Sequence, residues 1–126
     1  MPGNASARKS LSLPKERRLQ QTWEFERVRR EGQRLVKGCL ILNWRIAEGQ
    51  MFSRLGVISS RKIGNAVHRA RARRLIREAF RLHQCELSPP SDLVFVARPS
   101  IQGKKFEQVE KDFLLLTKEA QLLGAA

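Results

Sequence analysis

The residues best suited to chemistry in this sequence are arginines that recur at every fourth position. The spacing is carried by Arg69, Arg73, Arg77 and Arg81, with Arg74 beside them. Residues four apart stack on one face of a helix, so these side chains would form a positively charged ridge. Guanidinium groups bind phosphates in bidentate geometry and stack on bases better than lysine does. The spacing predicts contact with a phosphate backbone, and a solvated basic face is the alternative.

A short polar loop with the sequence SSRKIGN, residues 59–65, leads directly into this helix. Its glycine and small side chains would let backbone N–H groups approach an anion, and the helix N-terminus would add its dipole. The GxxxxGK[ST] spacing of a nucleotide-binding P-loop is absent. The loop predicts a second anion contact, and an ordinary capping turn with Asn65 as the cap is the alternative.

The remaining reactive residue types do not form a catalytic constellation. The twelve acidic residues include no cluster of the kind that holds two metal ions. His68 and His83 are fifteen residues apart on the predicted helix, which separates them by roughly 22 Å. Cys39 and Cys85 lack the spacing of a zinc site, and the chain has no tyrosine. We therefore expect no catalytic residue, no metal site and no organic cofactor in the protein itself.

Charge is concentrated in one stretch of this 126-residue chain. The formal net charge is +13, from 25 Lys and Arg against 12 Asp and Glu. Residues 61–81 alone hold eight basic residues and one acidic residue, a net of +7. Such clustering indicates a polyanionic partner, either nucleic acid or an anionic membrane surface. Apolar runs are too short for a membrane span, and the N-terminus lacks the apolar region of a signal peptide, so we expect a cytoplasmic protein.

The elements that position these residues can be predicted from periodicity. Residues 22–31, 66–84 and 106–124 have helical patterns, with Thr22 as the first cap and Gly124 as the last stop. Residues 40–46, 54–60 and 92–98 have strand patterns, and a further strand is expected near residues 35–38. The order α-β-β-β-α-β-α predicts an α+β sandwich in a single domain over residues 13–124. Residues 1–12 are expected to be a disordered basic tail.

The run from Arg54 to Phe80, RLGVISSRKIGNAVHRARARRLIREAF, closely resembles the signature of the bacterial ribonuclease P protein subunit. A phenylalanine seven residues before a glycine (Phe25 and Gly32), the strand at 92–98 and the C-terminal amphipathic helix follow in the order typical of that family. The resemblance covers about residues 13–122.

This resemblance implies an α/β sandwich like domain 2 of ribosomal protein S5, with a parallel βαβ unit whose crossover is left-handed, against the usual rule. It also implies that catalysis belongs to a separate RNA, which binds most of the magnesium. The substrate would be precursor tRNA, whose 5′ leader is removed by hydrolysis. The arginine-rich helix would contact the catalytic RNA, and a cleft between the sheet and the first helix would contact the leader. No obligate protein partner and no membrane are implied.

The family's functional positions can be carried over residue by residue. The RNA-contacting set is Ser60, Arg61, Lys62, Gly64, Asn65, Ala66, Arg69, Arg71, Arg73, Arg74 and Arg77. The leader cleft would include Phe25 and outward strand residues at Ile41 and Asn43.

The chain departs from the family pattern in three places. Ala70 replaces the central asparagine of an Arg-Asn-Arg triplet, Arg29 stands where some relatives have a second aromatic residue, and Asn43 stands where some have tyrosine. With fewer stacking platforms, we expect this cleft to hold the leader more by charge.

Overall fold

Residues 13–123 are described by a computed structural model, and they form one four-stranded sheet with three long helices. In chain order the elements are α1 (Thr22–Glu31), β1 (Gln33–Lys37), β2 (Leu40–Ile46), β3 (Arg54–Ile58), α2 (Ala66–His83), β4 (Ser91–Ala97) and α3 (Phe106–Glu119). The predicted order of helices and strands is confirmed. No helix within these residues is long and apolar enough to cross a membrane.

The strands lie in the order β1-β2-β4-β3. β1 pairs with β2, and β2 with β4, in antiparallel orientation. β3 pairs with β4 in parallel orientation, and α2 connects them, which confirms the predicted βαβ unit. The left-handed crossover stays a prediction, because strand pairing alone does not define its hand.

One face of the sheet holds the main core. Alternate residues of β2 and β4, such as Leu42 and Phe95, point into it and are fully buried. Phe80 of α2 and Phe113 of α3 cover them, and the rings of Phe95 and Phe113 stack with centroids 4.9 Å apart. Because β4 is covered on both faces, nearly its whole length is apolar and buried.

The other face of the sheet is covered by α1 and by the chain segment that precedes it. Leu19, Val28 and Val94 form a small second core there. The N–H of Leu19 donates to the carbonyl of Leu55 at 2.8 Å, so the segment runs beside β3 and covers that edge. The segment therefore borders β3, and its residues Leu13 and Arg18 line a groove together with α2.

Several element ends differ from the predictions. Thr22 is the first residue of α1, and Gln21 is its cap, because the carboxylate of Glu24 accepts the N–H groups of Gln20 and Gln21 at 3.0 Å each. β3 ends at Ile58 rather than at residue 60. α3 ends at Glu119, since Gln121 adopts a positive φ of 62° and turns Leu122 into the core. The predicted stop at Gly124 and the predicted tail at 1–12 lie outside the described residues.

Candidate nucleic-acid interface

α2 carries its charge on one side because its apolar residues are required on the other. Ala72, Ile76, Ala79 and Phe80 are buried against the sheet. The helical period then directs Arg69, Arg73 and Arg77 away from the core. Burial of the apolar stripe therefore fixes the direction in which the arginines project.

Most arginines on this side have no acidic partner within residues 13–123. Arg69, Arg74 and Arg77 form no ion pair and no side-chain hydrogen bond there. Burial, together with the like charges of Arg73 and Arg18, holds the pKa of Arg77 below its ordinary value. This side of α2 is therefore a surface of uncompensated positive charge, which a polyanion would stabilise.

Three other arginines of α2 do have partners. Arg73 donates to the hydroxyl of Ser59 at 2.8 Å, and Arg71 donates to the carbonyl of Lys104. Arg81 forms a bidentate pair with Glu78, at 3.0 Å from Nε and 2.6 Å to the second oxygen. The predicted ridge therefore keeps its geometry, but its last member is neutralised. Arg71 is directed at the 98–105 loop instead of the ridge.

The turn before α2 is a single 3-10 turn, Arg61–Ile63, anchored by the buried side chain of Ile63. The side chain of Asn65 accepts the N–H of His68 at 3.0 Å and caps α2. The hydroxyl of Ser60 accepts the N–H of Lys62 at 3.3 Å. The interpretation as a capping turn is thus correct for Asn65. Anion binding by this turn stays a prediction, and it depends on the exposed side chains of Arg61 and Lys62.

Gly64 allows this turn to contact a neighbouring loop. Its φ is 141°, and a Cβ there would meet the side chains of His68 at 3.0 Å and Gln102 at 3.1 Å. Gln102 belongs to the loop that follows β4. Because β3 and β4 are parallel, the loops at their carboxyl ends meet at one edge of the sheet. Lys104 and Lys105 therefore lie in a loop adjacent to the basic turn.

Sequence reasoning missed the contribution of the N-terminal segment. Arg18 lies close enough to Arg77 for its positive charge to contribute to the lowered pKa of Arg77, and it lines a groove beside α2. Arg17 places its guanidinium 4.6 Å from the centre of the Phe52 ring and donates to Gln84 at 2.9 Å. The net +4 charge of residues 1–22 was a signal for this, but it did not indicate where the charge would lie.

The predicted leader cleft lies on the other face of the sheet. Phe25 and Ile58 line a groove of about 290 Å³ together with polar residues of α1, including Arg29. Ile41 is half-buried on the same face, opposite Val96. Asn43 lies on the same face of β2 as Ile41, as predicted, but it is only 6% exposed because α1 packs over β2. Leader binding by these three residues stays a prediction.

Gly56 gives Phe25 its position. A Cβ at Gly56 would lie 2.5 Å from the Phe25 ring and 3.1 Å from Leu19. The ring therefore rests directly on the backbone of β3, with Ile58 and Val96 beside it. The Phe25 ring can occupy this position in the groove only because residue 56 has no side chain.

A network of ion pairs holds both ends of α1 against the sheet. Asp92 of β4 is 4% exposed and accepts two hydrogen bonds from Arg54, at 2.9 and 3.0 Å. Arg54 also contacts Glu24 at 2.8 Å, and Arg45 connects Asp92 to Glu31. The hydrogen bonds that Arg54 donates to Asp92 raise the pKa of Arg54. Acids of α1 and β4 are thus engaged in holding the fold.

The remaining titratable groups near the core are also engaged. His83 contacts Glu86 at 2.8 Å and Glu110 at 2.7 Å. Cys39 is buried beside Asp112, and burial first, then that carboxylate, raise the pKa of its thiol to about 12. Among residues 13–123 no group of three or more His, Cys, Asp or Glu could hold a metal ion.

The sequence and the fold are similar to those of known proteins. The family model described as Ribonuclease P matches residues 13–121. The chain is 40% identical over 105 residues to the ribonuclease P protein component of Clostridium perfringens, covering 79% of this chain and 84% of that protein. It is 36% identical over 111 residues to the component from Halalkalibacterium halodurans, covering 88% and 93%. The RNase P protein of Thermotoga maritima superposes with a TM-score of 0.73 at 28% identity, covering 81% of this chain and 96% of that one.

Proposed function

This chain belongs to the ribonuclease P protein family, and from that premise we propose that it binds the catalytic RNA of ribonuclease P and the 5′ leader of precursor tRNA. In this proposal the protein assists hydrolytic removal of the leader, which leaves the mature 5′ end of the tRNA. The RNA performs the cleavage with magnesium that it mainly binds itself. The protein contributes binding, orientation and charge neutralisation.

The observation that supports RNA binding is the uncompensated charge on α2. Three arginines there have no acidic partner within the described part of the chain, and the basic turn precedes them. Repulsion between these like charges destabilises the free protein, and bound phosphates would neutralise them. Lys104 and Lys105 extend the same surface at the adjacent loop.

The acids support the assignment of magnesium to the RNA. Magnesium at a phosphodiester is commonly held by carboxylates that face the substrate. In this fold Asp92, Glu24 and Glu31 pair with arginines, Glu78 pairs with Arg81, and Asp112 accepts the N–H of Cys39. These carboxylates are occupied in structural contacts.

The groove at Phe25 supports leader binding. Its lining includes one aromatic ring, the apolar side chain of Ile58, the guanidinium of Arg29 and the carboxylate of Glu26. An aromatic platform with a nearby cation suits single-stranded nucleic acid, because stacking tolerates any base and the cation tracks the backbone. β3 ends at Ile58 and leads directly into the basic turn, so leader and catalytic RNA would bind at neighbouring sites.

Cleavage of one labelled precursor tRNA at low, near-physiological magnesium tests this function. Protein alone, ribonuclease P RNA alone and the mixture are compared. We expect cleavage at the mature 5′ end to be much faster in the mixture. Cleavage by protein alone would reveal a protein active site, and no gain on mixing would indicate a general RNA-binding protein.

Matched variants sharpen this assay. Arg74→Ala with Arg77→Ala removes two charges from the proposed interface. Lys111→Ala with Lys118→Ala removes two exposed charges from α3 and serves as the control. We expect the first pair to abolish most of the stimulation and the second pair to leave it intact. Equal loss in both would mean that total charge, and not the α2 surface, drives the effect.

A further inference from the structure

We propose that the groove between the N-terminal segment and α2 binds one unstacked nucleotide of the partner RNA, with the phosphate between Arg18 and Arg77 and the base on Ala70. This inference rests on the proposed function. It adds a discrete pocket to what would otherwise be a continuous charged face, and it gives Arg18 a role.

The groove has the dimensions of a ligand site. It encloses about 500 Å³ and is lined on one side by Leu13 and Arg18 and on the other by residues of α2. This volume is within the range of roughly 300–1,000 Å³ that small-molecule sites occupy. The N-terminal segment is fixed here by the hydrogen bond between Leu19 and Leu55, so the wall that carries Arg18 is held by the edge of the sheet.

Charge in the groove points to an anion. Arg18, Arg74 and Arg77 have no acidic partner within residues 13–123. Arg77 is partly desolvated, and the charges of Arg73 and Arg18 oppose its own. Glu78 also lines the groove, but its carboxylate is taken up by Arg81. A phosphate between Arg18 and Arg77 would receive charge-assisted hydrogen bonds from both sides.

Two apolar side chains line the groove, one on each side. Ala70 is exposed, and it lies four residues before Arg74 and seven before Arg77, on the same side of α2. Leu13 is half-buried on the opposite side of the groove. The related signature has asparagine at this position, and the smaller side chain of Ala70 leaves more room. An apolar surface flanked by guanidinium groups fits a base that stacks and does not pair.

The base must be unstacked to enter. Bases within a helix expose only their edges, whereas bases in loops and bulges can be splayed onto a protein surface. We therefore expect a single-stranded or bulged nucleotide, and not a duplex, in this groove. The remaining ridge arginines would contact the flanking backbone.

The test compares substitutions that differ only in the space they fill. Ala70→Leu fills the groove without altering charge and retains high helix propensity, whereas Ala70→Ser keeps the groove open. The dissociation constant for in vitro transcribed ribonuclease P RNA is measured at several salt concentrations. We expect Ala70→Leu to weaken binding about tenfold, the size of one lost base stack, and Ala70→Ser to stay within about twofold of the original protein.

Arg18→Ala tests the phosphate contact, with Lys118→Ala as the control. Arg18→Ala should reduce the slope of log affinity against log salt by about 0.7–0.9, the value for one phosphate. The control should leave it unchanged. A short single-stranded oligonucleotide should compete with the RNA for Arg18-containing protein better than a duplex of the same length.

The outcomes separate this inference from the proposed function. If the original protein binds the RNA and Ala70→Leu binds equally well, the pocket is wrong and the function stands. If Arg18→Ala leaves the slope unchanged, the phosphate position is wrong. If the original protein does not bind the RNA, the proposed function fails first. Circular dichroism and thermal melting confirm that each variant is folded, and Ala70→Gln provides a second way to fill the groove.

Discussion

Two groups of arginines in this molecule have opposite surroundings. On the outer side of α2, Arg69, Arg74 and Arg77 have no acidic partner within residues 13–123. On the second face of the sheet, Arg45 and Arg54 share Asp92 and reach Glu31 and Glu24 of α1. Arginine therefore stabilises the fold at the sheet, whereas the arginines on the outer side of α2 are available to bind a partner.

The difference has an energetic basis. Asp92 is almost fully buried, so its charge is stable only while the guanidinium groups remain beside it. The α2 arginines are more exposed to solvent than Asp92, and salt screens the repulsion between them. We expect loss of charge to be costly for stability at the paired site and costly for RNA affinity at the unpaired site.

The largest effect is expected from Asp92→Asn, which keeps the side-chain shape and removes the charge. Arg54 and Arg45 would lose their shared partner, and breaking a buried pair on one side costs about 3–5 kcal/mol of the free energy of unfolding. Urea denaturation measures this loss. Glu26→Gln, at an exposed position of the same helix α1, is the control and should be nearly neutral. A loss of about 1 kcal/mol or less, typical of surface pairs, would show that the network does not hold α1.

The second effect is a loss of RNA affinity with little change in stability. Arg74→Ala with Arg77→Ala should weaken RNA binding about a hundredfold if each arginine makes one charge-assisted contact. The slope of log affinity against log salt should fall by about 2, because each phosphate contact contributes about 0.9. The unfolding free energy should change by less than about 0.5 kcal/mol, as at other exposed positions. A large fall in melting temperature would show that Arg74 and Arg77 stabilise the fold, as Arg45 and Arg54 do.

The third prediction concerns Gly56, where the ring of Phe25 contacts the backbone of β3. Gly56→Ala should cost about 1 kcal/mol or slightly more through overpacking, because only the ends of Phe25 and Leu19 must shift. Leader affinity should fall while affinity for the catalytic RNA is retained. Combining Gly56→Ala with Phe25→Leu should recover part of the lost stability in a double-mutant cycle. Strict additivity would mean that the ring does not depend on Gly56.

The smallest effect is a pH dependence at His83, a further basic group with acidic partners. Burial alone would lower the pKa of His83, but hydrogen bonds with Glu110 and Glu86 outweigh it and raise the pKa. The stabilisation is therefore complete below the unfolded value of about 6.5 and is lost as pH rises through the higher folded value. Melting temperatures at pH 6 and pH 8.5 should differ more for the original protein than for His83→Gln. An equal difference in both would remove His83 as the cause.

Local patterns predicted the elements well, and long-range contacts accounted for the errors. The alternation of residues 40–46 gave β2 with its observed bounds, since one face of that strand is buried. The capping of α1 was displaced by one residue because Glu24 accepts N–H groups from Gln20 and Gln21. Asn43 lies on the strand face that alternation predicts, but alternation cannot show how closely α1 packs there and buries it.

The site was predicted unevenly for the same reason. The spacing of Arg69, Arg73 and Arg77 places them on one helix face whatever the rest of the fold does. The contribution of Arg18 depends on a segment that crosses to α2 from far away in the chain. The contact of Arg71 with the Lys104 carbonyl also joins residues more than thirty positions apart. Neither contact leaves a periodic signal in the sequence.

By itself, the sequence determined the order of the elements, the concentration of positive charge in residues 61–81 and the helix face on which the arginines stack. These properties depend on neighbours within one or two turns, where backbone geometry relates position to direction. The tertiary structure alone decided which arginines are neutralised, which remain available and where the N-terminal segment adds to them. Ion pairing depends on distances between side chains that only packing of the sheet and helices brings together, as Asp92 does with Arg54 and Arg45.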